Sequence, residues 1–404
     1  MSQVLTFLCV SFYFKGEEFL KSCKAEGNTI YLLTHKKLEH KPWPKDSIDE
    51  FFFMDNDENS GQNMENMVKG LAWLMREKKV DYIVALDDFD VEKAATFREE
   101  FRIPGMGLTT SRYFRDKLAM RMQAAEAGIR VPAFTGLFHN NVINKFCDMI
   151  SAPWVLKPRS EASATGIKKV WNKNELWQHI HSLGDRRHQF LVEQFKPGDV
   201  YHTDSLTFNH DVKFVWSSRY LATPFDVAHG AGIFRSASLD QNGDDAKRLA
   251  IENAKVMKAF GMKHSASHTE FIQSHDDGKF YFLETSSRVG GAHLAVMVEA
   301  ASGINLWREW AKIETAAAKK QDYTVSAPRH DYAGILISLA RQEWPDQSVF
   351  NASEITWKMQ EKHHVGMVVR SASQERVNFL LDDYAGMVQR DFHASAPAQD
   401  KPSH

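Results

Sequence analysis

The chain has 404 residues, 43% apolar and 25% charged, with 50 Lys and Arg against 52 Asp and Glu for a net charge of −2. It is too long for one ordinary core and suits two to four packed subdomains, and its near-neutral balance leaves no electrostatic case for a nucleic-acid partner. Cys9, Cys23 and Cys147 have neither zinc nor disulfide spacing, the first residues carry no basic leader, and no run reaches the roughly 18 apolar residues of a membrane span, so a cytoplasmic protein with no membrane partner is expected.

The first hundred or so residues alternate short apolar runs with helical segments. Runs over 4–10, 29–33, 51–54 and 81–86 read as strands, and 16–25, 63–78 and 91–101 as helices. Such alternation predicts parallel βαβ units with right-handed crossovers, hence a small doubly wound domain. No Gly-x-Gly-x-x-Gly follows the first run, which argues against a dinucleotide site. Asp87, Asp88 and Asp90 fall at the carboxyl end of a predicted strand, where ligand sites of α/β sheets open. As a polar group between elements they read as a solvated loop.

A helix follows from Asp116 and Lys117 through Ala125 and stops at Gly128. On its own, Lys117 reads as a surface lysine. The run 153–158 is an apolar strand with Lys157 at its exit, where a buried ammonium needs an anionic partner. Between it and a strand at 167–171 lie small and hydroxyl residues ending at Gly166, a flap whose backbone N–H groups can wrap phosphate oxygens. After a helix over 173–183, a strand ends in Glu193 and continues through Gln194, Phe195 and Lys196 to a Pro-Gly turn. That pattern suits a hinge whose backbone hydrogen-bonds an adenine edge. Strands over 200–208 and 213–221 come next, and Arg219, His229 and Arg235 fit either surface positions or a grip on a substrate carboxylate. A helix over 243–260 carries an apolar stripe.

Two alternating runs around Asp277 and Gly278 then read as a β-hairpin. Folding about that turn brings Glu270 opposite Glu284, and a period of two puts Glu284 and Ser286 on one face. Like charges across a strand pair repel, so a cation is expected between them. Two carboxylates and a hydroxyl suit Mg2+, which fills its remaining positions with water and phosphate oxygens. Arg288 adds a fixed fork of donors for an anion at the same mouth. Helices over 294–301 and 304–317, a polar connector over 321–330, strands over 331–340 and 366–371 and a helix over 373–392 complete the pattern. His363 and His364 lack companion ligands and read as a loop pair, and residues 393–404 are expected to be disordered.

Glu270 followed by Glu284, Arg288, Gly290 and Gly291 resembles the ATP-grasp superfamily, whose members carry a Glu and then a Glu-x-Asn-x-Arg-x-Gly-Gly-like segment on adjacent strands; Ser286 stands here where Asn is usual. Asp116 with Lys117, and the Gly128 to Pro132 segment, match the same superfamily, and the resemblance covers residues 1–392. It implies an α/β (α+β) chain with the ATP-grasp fold: a doubly wound domain over 1–112, two lobes over 113–199 and 200–320 clasping ATP, and a short C-terminal subdomain over 321–392. It further implies that Lys117 and Lys157 meet the nucleotide phosphates under the flap ending at Gly166, with Glu193 to Lys196 as the adenine hinge. Val200 occupies the place of the ribose acid, so either Asp199 stands in for it or ribose binding is weaker. Mg2+, with Mn2+ as an alternative ion, sits on Glu270, Glu284 and Ser286, and Arg288 is the catalytic arginine. Gly290, Gly291 and His293 fall on the substrate side with Arg219, His229 and Arg235.

The activity implied is ATP-dependent ligation of a small-molecule carboxylate to an amine through an acyl phosphate. His268-Thr269-Glu270 and the Glu284 to Gly291 pattern look most like the L-amino acid ligases. One alternative is a biotin-carboxylase-like enzyme that activates bicarbonate, but Ala292 stands where its catalytic Glu belongs. Another is an ATP-binding protein of weak catalytic power, on account of Ser286 and Val200. The substrates have no readable code, and the oligomeric state is open, a homodimer being compatible.

Overall fold

In a computed structural model of the chain, the residues described are 4–54, 63–161, 165–223, 225, 227 and 232–395. His229, the middle of the expected flap and the tail beyond 395 lie outside them. The first elements are β1 Thr6–Ser11, α1 Glu17–Ala25, β2 Thr29–His35, β3 Glu50–Met54, α2 Asn63–Leu74, β4 Tyr82–Ala85 and α3 Val91–Phe101. Their sheet is parallel in the order β3-β2-β1-β4, the doubly wound arrangement expected. Along β1, Phe7 and Cys9 enter one core while Leu8 and Val10 enter another, so both faces are covered, as a parallel sheet requires. Gly16 has φ +87°, and a Cβ there would lie 2.6 Å from Leu86 Cδ1, so the turn from β1 into α1 admits no side chain.

α4 Leu108–Arg112 leads into α5 Lys117–Glu126. Asp116 caps α5 by accepting from Leu118 N–H at 3.0 Å, which places Lys117 at the first helical position. β5 Phe134–Gly136, α6 Asn140–Met149, β6 Trp154–Pro158, β7 Lys168–Val170, α7 Lys173–Leu183 and β8 Phe190–Gln194 follow. The strands make an antiparallel sheet in the order β5-β8-β6-β7, and Ile143 and Phe146 of α6 pack with Leu176 and Ile180 of α7 in its core.

The remaining elements are β9 Gly198–Phe208, β10 Asp211–Tyr220, β11 Phe234–Ser238, α8 Asp244–Ala259, β12 His264–Ser274, β13 Phe280–Ser286, α9 Leu294–Ser302, α10 Leu306–Lys319, β14 Tyr332–Leu339, β15 Ile355–Lys358, β16 His364–Ser371 and α11 Gln374–Asp391. Their strands form one antiparallel sheet in the order β13-β12-β9-β10-β11-β14-β16-β15. The sequence sets 321–392 apart, whereas the structure pairs β14 directly with β11. This pairing supplies partners for an edge that β11 would otherwise leave open. The start of the expected disordered tail is also tied down: His393 Nδ1 lies 2.8 Å from Ser338 Oγ, and Ala394 N–H donates to Leu339 O at 3.0 Å.

Candidate active site

Two cross-strand rows organise one face of the eight-stranded sheet. Register pairs Glu284 with Glu270 and Glu270 with His202; two residues along, it pairs Ser286 with His268 and His268 with Asp204. Residues directly opposed on antiparallel strands share a face, so these six side chains project together. A bulge lies between the Glu270–Glu284 and Phe271–Phe282 pairs, and it sets the two phenylalanines in a separate apolar core. Glu270, Glu284 and Ser286 line a cavity of about 740 Å³ together with Lys117, Lys157 and Arg288. The acids therefore face one cleft beside the lysines, as the hairpin reading requires.

Lys157 finds its anionic partner in Glu193 of β8, with which it makes a close ion pair. Arg121, fully buried one turn after Lys117 on α5, donates from Nε to the other Glu193 oxygen at 2.9 Å. Burial would raise the Glu193 carboxyl, but Arg121 and Lys157 hold it below its usual range. Burial pulls the Lys157 ammonium down to about 8 against the opposing pull of Glu193. Arg121 was not singled out in the sequence, although its spacing of four from Lys117 puts both on one helix face. The Glu193 side chain is thus the shared counterion of Lys157 and Arg121 at the wall of the cavity that Glu193 lines. Of the hinge amides, Gln194 N–H donates to Ala133 O and Phe195 N–H to Pro153 O, which binds the hinge to its own lobe. Gln194, Phe195 and Lys196 line the cavity.

Each acid of the opposed pair has its own cationic or hydroxyl partner. Lys117 Nζ lies 2.9 Å from Glu284 Oε2 and donates to Glu161 O at 2.6 Å. Burial tends to raise the Glu284 carboxyl, but Lys117, Lys157 and Arg121 hold it down to about 2. Tyr220 OH donates to Glu270 Oε1 at 2.9 Å, and His268 Nε2 lies 3.6 Å from the same oxygen. Burial depresses the His268 imidazole, yet Asp204 at 2.9 Å outweighs it and brings the group to about 10. Tyr220, His202 and Asp204 were missed. The available signal for the last two was an acid and a histidine two residues apart in the strand predicted over 200–208.

Arg288 lines the cavity and ion-pairs with Asp88, its second terminal nitrogen donating to Val289 O at 2.8 Å. The expectation of a solvated loop at Asp87, Asp88 and Asp90 is corrected: exposures are 1%, 7% and 0%. Lys15, Arg288 and Lys93 pair with them in that order. The loop at the end of β4 abuts the hairpin's exit, and Lys15, Lys93 and Arg288 supply counterions for the three buried carboxylates there.

The expected ribose acid is also corrected. Val200 lines the cavity, so Asp199, its neighbour on β9, projects to the opposite face, 2.9 Å from Arg219 and 3.6 Å from His275. Arg219 is spent on that pair and Arg235 on Asp382 at 2.6 Å, and neither lines the cavity. His293 does not line the cavity: with φ +54° at the turn into α9, its ring lies tilted against Trp357 at 4.7 Å. Gly291 lines the cavity, whereas Gly290 backs onto Asp204 and His268. Gly166 has φ +69°, and its neighbours Thr165 and Ile167 line the cavity. The donor set fits a divalent cation: two opposed carboxylates, and Ser286 Oγ buried without a hydrogen-bond partner.

A doubly wound domain, an antiparallel lobe carrying Lys157, and a second sheet that offers two opposed acids to the same cleft make up the ATP-grasp fold, as the hairpin residues led us to expect. No protein-family profile matches the chain. In sequence it is similar to the L-arginine-specific L-amino acid ligase of Bacillus subtilis, 25% identical over 233 residues, 56% of each chain. It is also similar to the D-alanine--D-alanine ligase of Neisseria gonorrhoeae, 22% identical over 46% of this chain and 61% of that one. The match thus spans little more than half the length of these curated relatives. Among solved structures, the L-amino acid ligase from Bacillus licheniformis superposes with a TM-score of 0.72 at 16% identity, covering 97% of this chain and 99% of the other.

Proposed function

We propose that this chain is an ATP-dependent carboxylate–amine ligase that joins small molecules, amino acids foremost, through an acyl phosphate. The observation that carries the reading is the direct opposition of Glu270 and Glu284 in one cavity with Lys117, Lys157 and Arg288. Similarity to named L-amino acid and D-alanine ligases supports it. Glu270, Glu284 and Ser286 would hold Mg2+, or Mn2+ in its place; bound there, the ion neutralises charge on the nucleotide phosphates. Lys117 and Lys157 offset the rest of that charge, Lys117 by turning from Glu284 to a phosphate oxygen. The adenine lies along the Glu193 to Lys196 hinge, and the flap ending at Gly166 covers the phosphates.

In the first step a substrate carboxylate oxygen attacks the γ-phosphorus and the bond to the departing ADP breaks; the protein's share is positioning and charge neutralisation. In the second, an amine nitrogen attacks the acyl carbon, phosphate leaves, and the nitrogen loses its proton. Arg288, at the border of the N-terminal domain, stabilises the negative charge that builds up in both steps. The enzyme works on small molecules in the cytoplasm.

A phosphate-release screen with ATP, Mg2+ and pairs of amino acids tests the reading, with bicarbonate and biotin as the competing arm. Release should rise with a particular amino-acid pair, and Glu284→Ala and Lys157→Ala should each abolish it with the fold intact. Wild-type rates in either variant would sink the assignment.

A further inference from the structure

Two donors converge on a single oxygen of Glu270. Tyr220 OH donates to Oε1 at 2.9 Å, and His268 Nε2 stands 3.6 Å from that oxygen and 3.3 Å from the tyrosine hydroxyl. Behind them the chain of contacts continues into the sheet. His268 Nδ1 meets Asp204 Oδ1 at 2.9 Å, Asp204 Oδ2 meets His202 Nδ1 at 2.9 Å, and His202 Nε2 meets Ser236 Oγ at 2.8 Å. Asp204 and His202 have no exposure at all. The outer side is closed by backbone: a Cβ on Gly290 would fall 2.9 Å from both Asp204 Oδ1 and His268 Nδ1. Five strands or their flanks thus contribute to holding one carboxylate oxygen.

The sheet register explains why such a device is needed. Glu270 and Glu284 are directly opposed, and two like charges in that relation drive each other apart unless each is held. Lys117 restrains Glu284 from the α5 side. We propose that Asp204, His268 and Tyr220 form a positioning chain for Glu270: they occupy Oε1 and leave Oε2 as the oxygen offered to a divalent cation. The inference rests on the ligase reading in one respect, that Glu270 is a metal ligand. Tyr220 and His268 act through Glu270, and removing such a support typically weakens metal binding by roughly 10- to 100-fold.

The test uses Mn2+ as the probe and full-length protein stripped with EDTA. ADP binding is measured without metal by calorimetry, and Mn2+ binding to the protein–ADP complex by loss of the free-ion electron paramagnetic resonance signal. Tyr220→Phe and His268→Ala should each raise the Mn2+ dissociation constant by roughly 10- to 100-fold while metal-free ADP affinity stays within about twofold. His268→Gln, which restores an N–H donor near Oε1, should recover most of the loss. Tyr220→Phe removes one hydroxyl and keeps the ring, so it remains informative should the histidine variants fold poorly. Unchanged Mn2+ affinity in Tyr220→Phe and His268→Ala, with normal wild-type binding, overturns the inference alone. An equal loss of metal-free ADP affinity overturns it too, since Tyr220 and His268, which line the cavity, would then act on the nucleotide or the fold and not through Glu270. Absence of Mn2+ binding to the wild-type ADP complex overturns it together with the metal assignment.

Discussion

Substituting Glu193 should damage the protein far more than substituting the lysine it binds. Glu193 is a single carboxylate shared by two cations, Lys157 and Arg121, whose side chains are 7% and 0% exposed. Glu193→Gln leaves both charges facing each other without the carboxylate they ion-pair with, and Glu284 acts on them only from farther off. Breaking a buried pair from one side costs roughly 3–5 kcal/mol. Lys157→Met instead leaves a one-to-one pair of Arg121 and Glu193 and removes an ammonium whose pKa burial has lowered to about 8. A swap of that shape costs less than about 1.5 kcal/mol. At roughly 2–4 °C per kcal/mol for units of 150–250 residues, Glu193→Gln lowers the melting temperature by roughly 6–20 °C and Lys157→Met by less than about 6 °C. Adding Lys157→Met to Glu193→Gln should restore part of the loss, because one buried charge rather than two is then unpaired. Circular dichroism melts at pH 7 give all three values. Equal shifts in the two single variants, or a double variant showing the full sum of both losses, would refute the shared-counterion account.

Glu314 makes a pH-dependent prediction: burial pushes its carboxyl up from 4.5 to about 7, while Trp310 Nε1–H donates to it at 2.9 Å. The folded state keeps a proton that the unfolded chain releases, so stability falls as pH rises from 4.5 to 7 and stays low above. Glu314→Gln should therefore gain about 3 kcal/mol over wild type at pH 8 and match it at pH 4, a comparison that melts at the two pH values decide. Gly290→Ala forces a methyl to 2.9 Å from Asp204 Oδ1 and His268 Nδ1, and chemical denaturation should register a loss of roughly 1–3 kcal/mol. Arg288→Lys cannot reproduce two separately directed N–H donors, and steady-state phosphate release should show kcat down roughly 100-fold with the KM for ATP nearly unchanged. A pure KM effect would place Arg288 outside the chemistry.

The opposed acids were legible because a hairpin's register follows from its turn and its period of two, and both are written within some twenty neighbouring residues. The requirement of Lys157 for an anion was equally readable, since an ammonium at the end of an apolar strand is costly whatever surrounds it. Its partner was not readable. Glu193 lies 36 residues away on β8, and only the pairing of β8 with β6 brings the two together. Asp88 was misread for the same reason, its counterion Arg288 being 200 residues distant. Asp199 lies one step of strand alternation away from the cavity-lining Val200, and which of two neighbours faces the cleft is set by the sheet and not by the motif.

What the chain specifies locally is therefore the order of its elements, the apolar faces and the pair of acids. Periodicity and turn chemistry act over a few residues, so these can be read from a string of letters. Which charge neutralises which was decided by packing. A counterion must come within a few ångströms, and here nearly every one comes from another strand, helix or lobe. The cleft took its final form only when Asp88, Arg121, Glu193 and Asp204 were brought in from separate elements to balance charges that the hairpin and the two lysines had left unpaired.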